Sequence, residues 1–405
     1  MKIIVGTRET TRYPEFAGST WVRLQYMLGL QRLGIESVWV DRLNPVDPLR
    51  HPHSLDYLIR RFDRTARTFG FADRYCVVYN NGERYFGMDE ERFLRLVGEA
   101  DALINISGHL PPSSPLMRIP CRAYVDVDPG FTHIWAHEVD MGLERHTAFF
   151  TTGQNVGRPE FKIPTRGIVW QPIVPPVVLD AWPPRIDERC QRFSTVADWR
   201  GSQHAIFEGQ YYGTKREEFV RFLRVPVDAG QRIELALCIG QDDFEDLGLL
   251  DGHNWRIRDP ASYAGDPESY REFIQHSRAE FSVAKSGYVR SCSGWVSDRT
   301  ASYLASGKPA LVQSTGFEWR LPTGKGLLTF RTSEEAVAGI QSINTDYLAH
   351  CHAARRLAEA YFNSDVVLTS MLKQLGLSGG CVTPAAADGD RARNAVRAAE
   401  PLPQR

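Results

Sequence analysis

At 405 residues the chain is longer than one hydrophobic core usually grows, so two domains are expected. With 42% hydrophobic and 24% charged residues it should fold without help, and a formal net charge of −1 gives no long-range field to attract a polyanion, which argues against a dedicated nucleic-acid or anionic-membrane binder. Seven singly spaced cysteines without a Cys-x-x-Cys pair suit a reducing, cytoplasmic setting, and no apolar run approaches the roughly 20 residues of a membrane helix, so neither signal peptide nor membrane span is expected.

The first strand covers 2–6 and leads through Gly18-Ser19-Thr20 into a helix over 21–33, where Trp21, Leu24, Met27 and Leu30 recur at helical spacing until Gly34 stops it. A second strand at 37–41 completes a βαβ unit and so predicts a parallel sheet with a right-handed crossover. Gly-x-Gly-x-x-Gly is absent, which leaves NAD without support. A helix over 89–99 and strands at 102–106 and 122–128 continue the pattern. Ligands of wound sheets bind beyond the carboxyl ends of the strands, which singles out His109, Asp126 and Asp128. His133 and His137, four apart, lack a third metal ligand and read as structural.

A proline-rich passage over 171–184 reads as an extended linker. A second wound unit follows, with strands at 193–197, 232–239, 279–284 and 310–313, and helices at 215–223, 267–278 and 298–306. The last helices are expected over 345–362 and 365–375. From 376 to 405 glycine, alanine, proline and arginine dominate, and a disordered tail is expected.

Chemistry concentrates in the Gly- and Ser-containing loop over 284–299, between a strand and a helix. Its backbone amides, Gly287 among them, and the helix N-terminus can hold a phosphate, with Lys285, Arg290 and Arg299 supplying charge. Tyr288 and Trp295 offer faces for a base or sugar ring. Asp298 belongs to the same set, although Ser297-Asp298 also suits a helix cap.

The helix, small-Gly-x-Pro turn and strand at Tyr303-Leu304-Ala305-Ser306-Gly307-Lys308-Pro309-Ala310-Leu311-Val312 resemble the C-terminal domain of GT-B class glycosyltransferases, most of all bacterial glycosyltransferase-like proteins. The likeness extends to Leu24-Gln25-Tyr26 and to Tyr124-Val125-Asp126-Val127-Asp128-Pro129-Gly130. It implies an α/β protein of two Rossmann-like doubly wound domains facing a central cleft. An acceptor domain would cover 1–175 and a nucleotide-sugar donor domain 176–375, with the last helix able to pack back on the first domain. It further implies that Arg200 and Lys215 grip the donor diphosphate. Many retaining relatives carry an acid seven residues before the turn's proline; here that position is Ser302, and Asp298 lies one helical turn earlier.

The expected activity is transfer of a sugar from a nucleoside diphosphate sugar to a small-molecule or glycan acceptor, without metal or other cofactor. His109 and Asp128 form the expected reaction centre. In an inverting reaction one of them removes the acceptor proton; in a retaining one both orient the sugar. Asp126-x-Asp128 also fits a divalent-cation signature, and the fold also suits a sugar-nucleotide epimerase or a non-catalytic nucleotide-sugar binder.

Overall fold

The structure is a computed structural model and describes residues 1–8, 10–47, 51–201 and 204–377. The expected tail therefore lies, from residue 378 on, outside the described residues. Its boundary is corrected by two residues. Gly376 and Leu377 close the last helix, their N–H groups bonding to Lys373 O (3.1 Å) and Leu372 O (3.0 Å), and the Leu377 side chain packs on the core.

The first sheet has eight strands: β1 (Lys2–Arg8), β2 (Glu36–Leu43), β3 (Tyr75–Tyr79), β4 (Arg84–Phe86), β5 (Ala102–Ile106), β6 (Cys121–Asp126), β7 (Ala148–Thr151) and β8 (Gln171–Pro172). Their order is β4-β3-β2-β1-β5-β6-β7-β8, parallel except for β3 with β4. The central strands are apolar along their length, as in Ala102–Ile106 where every residue is buried, because helices cover both faces.

The second half holds β9 (Phe193–Asp198), a separate hairpin of β10 (Ala205–Phe207) and β11 (Gln210–Tyr212), then β12 (Ile233–Cys238), β13 (Trp255–Arg258), β14 (Ala279–Ser282), β15 (Ala310–Gln313) and β16 (Leu327–Phe330). Here the all-parallel order is β13-β12-β9-β14-β15-β16. In each sheet the chain first winds to one side of its first strand and then to the other, which creates switch points between β1 and β5 and between β9 and β14.

The helix Ala17–Arg32 begins four residues earlier than its apolar periodicity suggests. It is buried on nearly all sides, because it lies against the first sheet and also touches the helices Pro267–Gln275 and Ser364–Gln374 of the second half. Trp21 Nε1 donates to Pro267 O at 2.8 Å, and its ring lies 4.7 Å from that of Trp182. Close approach of the last helix requires Gly29, where a Cβ would come within 2.5 Å of Leu368 Cδ1. The proline-rich passage runs between these layers, held where Val177 N–H bonds to Phe362 O (2.7 Å) and Ser364 N–H to Val177 O (2.9 Å).

A second tie forms where residues 153–155 run beside 293–295. Gln154 N–H and Asn155 N–H donate to Gly294 O and Ser293 O, each at 3.1 Å. Trp319 Nε1 donates to Asn155 Oδ1 at 2.7 Å. The two sheets thus present their carboxyl ends to one another across a cleft with fixed walls.

Candidate active site

A cavity of about 370 Å³ lies in this cleft, bordered by residues that follow β1, β6 and β7 on one side and, on the other, by the last residues of β9 and β12 and those after β14. The switch point between β9 and β14 opens onto it, where wound sheets place ligands, and the segment after β1 closes the opposite side.

Its cationic part comes from two lysines. Lys215 starts the short helix Lys215–Phe219, and its buried Nζ donates to the carbonyl of Val283 just past β14. Among the described residues it makes no ion pair. Burial pushes its pKa well below the ordinary lysine value, and the cations Arg299 and Lys285 push it further the same way. Lys285 Nζ lies 3.2 Å from Asp128 Oδ1 and donates to the Tyr288 hydroxyl at 3.3 Å. Tyr288 in turn donates to the same Asp128 oxygen. Asp128 from the first half is therefore held by two side chains of the second.

Other expected donor ligands are placed differently. Arg299 borders the cavity, but its Nε is 2.7 Å from Glu280 Oε1, and its other nitrogens donate to Val196 O (2.7 Å) and Ser282 Oγ (2.6 Å). Its charge is already compensated. Arg200 is 52% exposed, pairs with Asp243 (2.6 Å) and Asp246 (3.3 Å), and does not line the cavity. Arg290 is exposed and also outside it. The amides of the 284–299 loop are spent inside the protein: Ser286 N–H bonds to Thr214 O (2.9 Å), Gly287 N–H to Gly213 O (3.0 Å) and Tyr288 N–H to Lys285 O (3.0 Å). Gly287 serves packing, since a Cβ there would sit 2.2 Å from Phe131 Cζ.

The aromatic pair is present as a stack, with the Tyr288 and Trp295 rings 4.4 Å apart at 25°. Trp295 and Asp298 both line the cavity. Ser297 caps the helix Asp298–Ala305 by accepting from Arg299 N–H (3.2 Å), so Asp298 is released from the capping role its position suggested. Its carboxylate bonds to no other described residue, and burial raises its pKa. Ser302, where the resemblance implied an acid, turns its hydroxyl back to Asp298 O at 3.2 Å.

Asp126 and Asp128 have separate duties. Asp126 is fully buried and accepts from Asp128 N–H (3.0 Å), Thr132 Oγ1 (2.6 Å) and Thr151 Oγ1 (2.7 Å), which braces the turn that carries Asp128. Burial raises its pKa to about 7. Among the described residues no three His, Cys, Asp or Glu side chains cluster as a metal site. His109 follows β5, but its ring does not line the cavity. Burial, with Arg8 next in effect, lowers its pKa to about 4, and its carbonyl accepts from Arg42 Nη1 at 3.2 Å. His133 is a buried packing residue whose Nδ1 accepts from Gly130 N–H (3.3 Å).

Sequence reasoning missed Arg23, Tyr26 and Tyr270, all of which line the cavity. A signal existed: Arg23 and Tyr26, three apart on one helical face, sit among the helix's apolar series Trp21, Leu24, Met27 and Leu30.

No protein-family profile matches this sequence, and neither does any curated protein. Solved structures do match in shape. An α-glucosyltransferase in complex with UDP and a 13-mer DNA superposes with a TM-score of 0.58 at 12% identity, over 93% of this chain and 100% of that one. AviGT4, a glycosyltransferase involved in avilamycin A biosynthesis, gives 0.53 at 13% over 94% and 99%. HepE from Anabaena, in complex with UDP and glucose, gives 0.55 at 10% over 93% and 99%. The chain has the GT-B fold of these glycosyltransferases.

Proposed function

We propose that the protein transfers a sugar from a nucleoside diphosphate sugar to a small-molecule or glycan acceptor, with the diphosphate on Lys215 and Lys285. The observation that carries this reading is Lys215, a buried amine that makes no ion pair among the described residues and lies beside a second lysine. An unpaired buried charge is costly and persists where a ligand supplies the counter-charge. A leaving nucleoside diphosphate does so, and it gains negative charge as the glycosidic bond breaks, so the same lysines lower the barrier.

In this scheme residues 176–375 hold the donor and 1–175 the acceptor. Asp128 stands at the reaction centre, and Asp126 holds it there. His109 is a weaker candidate because its ring stays outside the cavity. UDP is the first nucleotide to test, since AviGT4's fold companions were solved with it. The net charge of −1 favours a small molecule or glycan over the DNA seen with one neighbour. No metal is required of these residues.

The test is a thermal shift of the full chain with UDP-, GDP- and dTDP-sugars, followed by transfer to an acceptor panel with and without EDTA. A ligand at a hundredfold excess over its Kd should add about 2.7 kcal/mol of stability. Interconversion of the donor without transfer would make it an epimerase. Binding without either reaction would make it a sensor. No shift with any nucleotide sugar would remove the donor site altogether.

A further inference from the structure

Resting on the donor site proposed above, the cavity can be divided further. The lysines fix one part for the diphosphate. The ends of β9 and β12, with Val196, Ala197 and Cys238, form a mainly apolar recess suited to a base. What remains is the wall between the helix Ala17–Arg32 and the start of the helix Asp298–Ala305, where Arg23, Tyr26 and Asp298 meet the cavity.

Arg23 is unusual there. It is only 9% exposed, and Nη1 alone is satisfied, donating to Ser19 O (2.9 Å) and Ser19 Oγ (2.8 Å). Among the described residues Nη2 makes no hydrogen bond, and the buried Nε has no partner either. A guanidinium has five donors and no acceptor, so this one is left seeking oxygen. Asp298 has the opposite need, a carboxylate that accepts and bonds to no other described side chain. The two do not form an ion pair with one another among the described residues. Donor and acceptor set apart across a cavity match a neutral polyol, whose hydroxyls accept from one side and donate to the other. An acidic sugar pairs with Arg23 but brings a second carboxylate up to Asp298, whose charged form burial already disfavours.

We propose that Arg23 and Asp298 bracket the transferred sugar, that Arg23 is a specificity-determining contact supplied by the N-terminal half, and that the sugar is an uncharged one read through its hydroxyls.

The experiment is calorimetric binding of UDP, UDP-glucose and UDP-glucuronate to the full-length wild type and to Arg23→Met, Arg23→Lys and Asp298→Asn, with melting curves to confirm folding. Arg23→Met should keep UDP affinity within about twofold and weaken UDP-glucose by roughly tenfold or more, the loss of one hydrogen bond to a charged group. Asp298→Asn should show the same signature, and Arg23→Lys should recover part of the loss. Equal weakening of UDP would make Arg23 a phosphate ligand and overturn the inference. So would an unchanged ratio of UDP to UDP-glucose affinity in folded Arg23→Met, or tighter wild-type binding of UDP-glucuronate than of UDP-glucose. Wild type that binds none of the three, nor the GDP- and dTDP-sugars, would instead overturn the donor site itself.

Discussion

Replacing Asp128 by asparagine should tighten UDP binding while it slows sugar transfer. From sequence alone the substitution is expected to slow turnover and to leave donor affinity little changed. The structure alters that expectation, since Lys285 Nζ lies 3.2 Å from Asp128 Oδ1 with both side chains 22% exposed. A donor diphosphate must therefore compete with Asp128 for the lysine. Such a pair, partly screened by water, is worth about 1 kcal/mol. Removing the competitor should strengthen UDP binding about fivefold. Asparagine keeps the side chain's shape and an oxygen for the Tyr288 hydroxyl, so the change is mainly one of charge. Calorimetric titration with UDP reads the effect, and a cycle with Lys285→Met isolates it. In the Lys285→Met background the gain from Asp128→Asn should vanish. Turnover should meanwhile fall on the order of a hundredfold if Asp128 accepts the proton. Unchanged or weaker UDP binding in Asp128→Asn would refute the competition, and a gain that survives without Lys285 would assign it to another cause.

Three further outcomes follow from the same physics. Lys215→Met should raise the melting temperature of the unliganded protein by relieving a buried, unpaired amine, and should weaken UDP binding by about tenfold to a hundredfold, read by scanning calorimetry and titration. The native pKa of Lys215 is depressed, so between that value and about pH 10.5 the unfolded chain binds more protons; wild-type stability carries a contribution that rises with pH within that window and is absent from Lys215→Met. His109, His133 and His146 have pKa values lowered to about 4, 3 and 4, so between those values and about 6.5 unfolding takes up protons and stability falls as the pH falls. The slope approaches about 1.4 kcal/mol per pH unit for each imidazole, opposed by Asp126, and His133→Phe should flatten melting temperature against pH. Gly29→Val should cost about 1–3 kcal/mol by pushing Leu368 and the last helix away, measured by denaturant unfolding; an unchanged midpoint would mean that the helix is not docked as described.

The architecture was legible because its signals are local. Apolar runs such as Ala102–Ile106, helical spacing in Trp21, Leu24 and Met27, and the glycine-proline turn after Ser306 each follow from backbone geometry and burial within one segment. Short elements without a strong period, including β13, the hairpin of β10 with β11 and the edge strand β8, escaped the reading. His350 is buried, and Gly326 N–H bonds to its Nδ1 at 3.2 Å, a contact between residues 24 apart that no local pattern shows.

The cavity divides along the same line. Sequence determined that lysines and aromatic residues would cluster after the strands of a wound sheet, since strand-end loops are where that topology exposes polar groups. It could not determine which charges were already neutralised. Glu280 quenches Arg299, and Asp243 and Asp246 occupy Arg200, while Lys215 and Arg23 line the cavity with no ion pair among the described residues. Those pairs join residues 19 to 46 apart along the chain, and only folding fixes the distances on which the strength of a charge pair depends.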